Sequence, residues 1–174
     1  MSSVIRGAGL LSLACGLMGA AVGQPPKGEP LTDNKFIVMA GSGGLMEVEL
    51  GKVAGAKAAD DGVKKFGEMM VKDHSKANKQ LAAVARKLDR PEPKEMTDKH
   101  ARVVERLKGL SGRAFDRAYV KQMVEDHEED VALFARASKE CKAAELKKFA
   151  ADALPTLQKH LEMAKELQER LGKK

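Results

Sequence analysis

Apolar residues recur at three- and four-residue steps through most of the chain beyond residue 32, and no stretch alternates polar and apolar as a half-buried strand would. The clearest stripe runs Val63, Phe66, Met70, Ala77, Leu81, Val84 and Leu88. Asp60 or Asp61 is its expected N-cap, and the breaker run DRPEP at 89–93 ends it. A second stripe, Phe115, Tyr119, Met123, Val124, Val131 and Phe134, follows a cap at Ser111 and ends near Cys141. A third carries Leu146, Phe149, Ala150, Ala153, Leu157, Ala164, Leu167 and Leu171. Pro155 crosses it, removes one backbone bond and is expected to bend the helix. The first helix, from a cap at Thr32 or Asp33 to about Ala58, is the least regular. Each interior glycine of its GSGG run at 41–44 costs about 1 kcal/mol against alanine, so a kink or a close backbone approach is expected there. A short helix over 97–107 and a break at GLSG, 109–112, complete the pattern.

Four helices of roughly 26 to 30 residues, each with one apolar stripe, predict an all-α fold, a four-helix bundle about 40 Å long over residues 33–171. The short links within the first and last pairs predict antiparallel hairpins. The connector over 90–111 is long enough to cross the whole bundle. That permits a ferritin-like up-down-down-up order as well as a simple up-down-up-down order.

The ends add a destination. Residues 1–23 carry one positive charge, Arg6, then an apolar run from Ala8 to Val22, with small residues at Ala21 and Gly23. That is the layout of a secretory signal peptide cleaved near Gly23, with lipid attachment at Cys15 as the alternative. Residues 24–32, QPPKGEPLT, read as a flexible proline-rich leader before the bundle. The protein is therefore expected to be exported to the periplasm or cell envelope, with no membrane-spanning segment in its mature form. Cys141 is then the one remaining cysteine, so no internal disulfide is expected. The net charge of +6 is spread over Lys and Arg alternating with Asp and Glu, with no basic stripe and no interleaved aromatics, which excludes a nucleic-acid partner.

Chemistry enters with the histidines. The chain has four, and two stand in a repeated frame: MVKDH at 70–74 and MVEDH at 123–127. At the same offset Phe66 matches Tyr119 and Leu81 matches Phe134, which marks a shared local role rather than duplication of a hairpin. His74, His127 and His160 all fall on the apolar stripes, near mid-height of their helices, and Glu47 lies near the middle of the first. A layer of three imidazoles and a carboxylate suits a transition metal such as Cu, Zn or Fe. Asp73 and Asp126, about 100° round the helix from their histidines, are candidate partners for a ring on an adjacent helix. Met70, Met123 and Met163 read as core filler, with sulfur ligation of a soft metal as the alternative. His100, in the connector, reads as a surface residue.

Other chemistry is missing. No histidine has Glu three residues before it, so the Glu-x-x-His pattern of carboxylate-bridged di-iron bundles is absent. No nucleophilic triad, phosphate loop or paired-cysteine motif is present.

The runs GGLMEVELGKVA (43–54), FGEMMVKDHSKAN (66–78), LSGRAFDRAYVKQMVEDHEEDVALF (110–134) and LKKFAADALPTLQKHLEMA (146–164) resemble a bacterial domain-of-unknown-function family. Its members look like ferritin-like four-helix bundles behind a signal peptide and are often labelled predicted outer-membrane proteins. The resemblance implies the fold and export, and supplies no activity. The expectation is an envelope protein that acts by binding rather than catalysis, through a metal held by His74, His127, His160 and Glu47. The alternative is a metal-free structural or stress-related protein, with an envelope partner, whose inward histidines form a polar core layer.

Overall fold

The first two helices start on residues whose side chains accept from their first free amides. The computed structural model describes, besides Met1, residues 30–173. The expected signal segment after Met1 and the expected leader up to residue 29 lie outside the described residues. Described secondary structure is entirely helical: α1 (Asp33–Lys57), α2 (Asp61–Lys87), α3 (Asp98–Lys108), α4 (Gly112–Glu140) and α5 (Ala144–Gly172). Thr32 caps α1 by accepting from Lys35 N, and Asp60 caps α2 by accepting from Gly62 N and Val63 N. Thr97 and Ser111 occupy the cap positions of α3 and α4.

The leader is shorter than expected at its far end. Leu31 is buried with Phe36, its N–H donating to Glu140 Oε2 at 3.4 Å. Leu31 precedes the cap and Phe36 lies in the first turn after it, the placement of a hydrophobic staple.

Two apolar clusters define the packing directions. One gathers the end of α1 (Leu50, Ala54), the start of α2 (Val63, Phe66), the start of α4 (Phe115, Tyr119) and the later part of α5 (Ala164). The other gathers the start of α1 (Phe36, Ile37), the end of α2 (Leu81, Ala85), the end of α4 (Phe134, Ala137) and the start of α5 (Leu146, Phe149). Hence α1 and α5 run one way, α2 and α4 the other, and the connector with α3 climbs the full height. The order is up-down-down-up. α1 packs mainly on α2 and α4, and α5 on the same two, so α2 and α4 are parallel neighbours across the core diagonal.

Carboxylates lock the hairpin turns together. Asp116 of α4 accepts from Ala59 N and Asp60 N of the α1–α2 turn at 3.1 and 3.0 Å. Asp33 of α1 accepts from Lys142 N and Ala143 N of the α4–α5 turn at 2.7 and 3.2 Å. Asp116 is buried, so its loss leaves two amides without their acceptor. Asp116→Ala is expected to lower stability by about 1–3 kcal/mol, read as a shifted urea midpoint at unchanged slope.

α1 passes through 41–44 as one unbroken helix. Gly41 and Gly44 leave room for the side chains of Pro93 and Asn78, so the connector and α2 seat on this small-residue face. The close approach of backbones lies further on. A methyl group at Gly51 would sit 2.5 Å from Gly67 O, and one at Gly67 would sit 2.8 Å from Gly51 O. α1 and α2 therefore cross at a pair of glycines.

Candidate metal centre

One side chain from each long helix meets at mid-height: Glu47 from α1, His74 from α2, His127 from α4 and His160 from α5. Their exposures are 0 %, 5 %, 0 % and 1 %. The three imidazole centroids form a near-equilateral triangle with sides of 5.6, 5.4 and 5.4 Å. The Phe66 ring lies 6.5 Å from both His127 and His160, bounding the layer with an apolar wall.

The partners of two rings fix where their protons sit. His127 Nδ1 lies 2.9 Å from Met123 O, a carbonyl that only accepts, so Nδ1 carries the hydrogen and Nε2 the lone pair. His160 Nε2 donates to Asp73 Oδ2 at 3.1 Å, which leaves the lone pair on Nδ1. His74 Nδ1 stands 2.7 Å from Glu47 Oε2, a close contact without hydrogen-bond geometry. His74 Nε2, His127 Nε2 and His160 Nδ1 are all buried without a hydrogen-bond partner in the protein. One ring nitrogen from each of the three residues lies within 4.8 Å of the others, a spacing that can hold a metal ion.

Burial sets the charge state. It pushes the His74 and His127 rings down to about 4, Asp73 opposing the shift at His74 and Glu47 opposing it at His127. Burial lowers His160 too, with the neighbouring His74 adding to the effect. Neutral imidazole is the form that binds a metal. The Glu47 carboxyl goes the other way, up to about 8, because burial outweighs the opposing effect of His127; Oε1 lies 3.5 Å from His127 Nε2.

A raised carboxyl stabilises the fold while the folded state alone keeps its proton. For Glu47 that contribution is full below its ordinary value of 4.5 and is lost as pH rises through about 8. The two depressed histidines act oppositely, costing stability as pH falls from 6.5 toward 4. Above about pH 7 the histidines no longer contribute, and the raised carboxyls of Glu47, Asp126 and Asp130 all act in the same direction. Metal-free protein should therefore lose stability from pH 7 to 8.5 in denaturant titrations, and Glu47→Gln should make that limb shallower without abolishing it.

The structure brings together all four expected residues and divides the expected helpers. Asp73 reaches the His160 ring on the adjacent helix. Asp126 does not reach a ring: Gln122 Nε2 donates to it at 3.3 Å and Gln122 accepts from Arg106 at 2.6 Å, facing α3. Burial raises its carboxyl to about 7. Met70 and Met123 are fully buried in the cluster of Phe66 and Tyr119.

His100 is not a free surface residue. It is half-buried with Nδ1 2.6 Å from Ser42 Oγ, and Ser42 also accepts from Thr97 N at 2.8 Å, which pins the connector to α1.

Tyr119 escaped the sequence reading. Its hydroxyl is fully buried without a hydrogen-bond partner in the protein, and burial together with the Glu47 carboxylate raises its pKa. The one available signal was its alignment with Phe66 in the repeat, which put a hydroxyl on a core position.

Fold and site define a class: an all-helical protein whose long helices enclose a buried histidine trio beside a buried carboxylate. The chain belongs to the DUF4142 family, a domain of unknown function, whose model matches residues 18–167. No curated protein sequence matches it. Among solved structures it is similar to CopM in the Cu(II)-bound form, with a TM-score of 0.69 and 20% identity over 82% of this chain and 99% of that one. CopM also appears in Cu(I)-bound, Ag-bound and apo forms. A DUF305 fragment from Deinococcus radiodurans gives a TM-score of 0.69 at 15% identity, over 82% of this chain and 99% of that one. A candidate secreted DUF305 protein from Streptomyces coelicolor gives 0.64 at 14%, over 80% and 93%. At these identities the likeness shows a shared helical fold. Among the described residues, no helix is long and apolar enough to cross a membrane.

Proposed function

We propose that the protein is an exported metal-binding bundle that holds one transition-metal ion on His74 Nε2, His127 Nε2 and His160 Nδ1, with Glu47 as its adjoining carboxylate. One observation carries the reading: one buried ring nitrogen from each histidine lies within 4.8 Å of the other two, and His74 Nε2, His127 Nε2 and His160 Nδ1 have no hydrogen-bond partner in the protein. Without a cation these atoms are buried and unpaired, a cost of about 1–3 kcal/mol for each. Three neutral imidazoles and a carboxylate favour Cu(II), Zn(II) or Fe(II) over Cu(I), and by intrinsic affinity Cu(II) binds tightest. The similar CopM structures are Cu(II)-, Cu(I)- and Ag-bound, which supports a metal reading without choosing the ion. The up-down-down-up order with its single long crossover supports a ferritin-like reading of the bundle, and the layout of residues 1–23 supports export.

The rival reading, a metal-free polar layer, draws on the contacts that Glu47 and Asp73 make with the rings. It leaves the three unpartnered ring nitrogens unexplained. Metal analysis of purified protein loaded separately with Cu(II), Zn(II) and Fe(II) separates the two. One ion per chain that survives desalting is expected with at least one metal; sub-stoichiometric content with all three overturns the metal reading.

A further inference from the structure

Structural metal sites are closed shells of protein ligands, whereas sites that exchange or process ligands keep a coordination position free. The surroundings of the trio differ on its two sides. Toward the α1–α4 side, His127 is fully buried, and Phe66 and Tyr119 pack below it. On the α2–α5 side lies a cavity of about 660 Å³. Its lining includes Glu47, His74 and His160. Leu81, Phe149 and Leu157 supply an apolar floor, while Lys76, Gln80 and Asp152 along its edge are exposed. The space far exceeds the roughly 30 Å³ share of a single water, and its rim meets solvent.

The protein ligand count points the same way. The convergent group among the described residues consists of three nitrogens and no fourth His, Cys, Asp or Glu atom. Glu47 has both oxygens beside rings, Oε2 at 2.7 Å from His74 Nδ1 and Oε1 at 3.5 Å from His127 Nε2. It orients the donors and can add at most one oxygen. An ion held by the three imidazoles thus has a position that no fourth convergent protein atom fills, beside the cavity that Glu47, His74 and His160 line.

Building on the metal reading above, we propose that the bound ion keeps one exchangeable coordination position facing the α2–α5 cavity, and that this position takes a small anionic donor from solvent. The cavity, about 660 Å³ and open to solvent, gives a solvent-borne anion a path to the trio. The cavity walls offer two places to close the position without touching a ligand: Ala153 on α5 and Ala77 on α2, both half-buried on the lining.

The test uses the whole protein loaded with Cu(II) and titrated with azide, followed by visible absorption and electron paramagnetic resonance, with copper retention checked after desalting. A saturable one-to-one spectral change is expected. In Ala153→Trp and, independently, Ala77→Trp, each with wild-type helix content, one Cu(II) should still bind per chain while the azide dissociation constant rises at least tenfold. A copper spectrum that azide leaves unchanged, at one retained Cu(II) per chain, overturns the open position but not the metal site. Wild-type azide affinity in both filled variants overturns its placement in this cavity. Failure of Cu(II), Zn(II) and Fe(II) alike to bind in stoichiometric amount overturns the metal reading and this proposal together.

Discussion

His127→Ala is expected to weaken metal binding at least 100-fold, measured by chelator competition with Cu(II) or Zn(II). His127 is the trio member with no exposure, and its Nδ1 is held by its own helix at Met123 O. No side chain from the exposed face can rotate in to replace it. Three imidazoles from three helices act as one unit, so His74→Ala and His160→Ala should lose affinity on a similar scale. Melting curves provide an independent reading. At metal 1,000-fold above its dissociation constant, a ligand that binds only the folded state adds about 4 kcal/mol. The wild type should show that gain, and a variant weakened 100-fold or more should keep no more than about 1.4 kcal/mol of it at the same metal concentration. Undiminished affinity in His127→Ala would remove the trio from the metal site.

The second large effect separates two glycines of one helix. Gly51→Ala should destabilise the fold by about 2–3 kcal/mol net, although alanine is the better helix former by about 1 kcal/mol. The new methyl would meet Gly67 O at 2.5 Å and Val71 Cγ2 at 2.9 Å, and backbone cannot rotate aside as a side chain can. α1 and α2 would have to separate, shifting Glu47 relative to His74. Gly55 has no atom within 4 Å of such a methyl and is exposed, so Gly55→Ala should stabilise by about 0.5–1 kcal/mol. Urea melts of the two variants should move in opposite directions; a stabilised Gly51→Ala would mean the crossing is looser than its geometry.

The repeated pentapeptide has a geometrical meaning. α2 and α4 are parallel across the core diagonal, so residues at equal offset reach equal height. Phe66 meets Tyr119 at 6.3 Å and His74 meets His127 at 5.6 Å, each an edge contact. The same spacing that places Met, Val and His on a packed face therefore brings matching rings together. His160 joins from α5, antiparallel to both, where no repeat marks it.

Other local signals were ambiguous for definite reasons. Asp73 and Asp126 hold the same place beside their histidines, yet one turns toward α5 and finds a ring, while the other turns toward α3 and finds Gln122. Which neighbour an intermediate face meets depends on bundle order, which local spacing leaves open. Asp116 is buried at a helix start, and its partners are two backbone amides of another hairpin. Backbone groups leave no trace in side-chain pattern.

Composition and periodicity by themselves determined the helices, the N-cap positions at Thr32, Asp60 and Ser111, the hairpin pairs and the inward faces of His74, His127 and His160. Those features arise from interactions within a few residues, where 3.6-residue spacing and capping chemistry act. The tertiary structure alone decided the direction of the crossover, the glycine contact between α1 and α2, the buried hydroxyl of Tyr119 and the partner of the His160 ring. That partner, Asp73, comes from another helix. The convergence of the three ring nitrogens likewise depends on long-range packing, because only packing brings rings from three helices to one height.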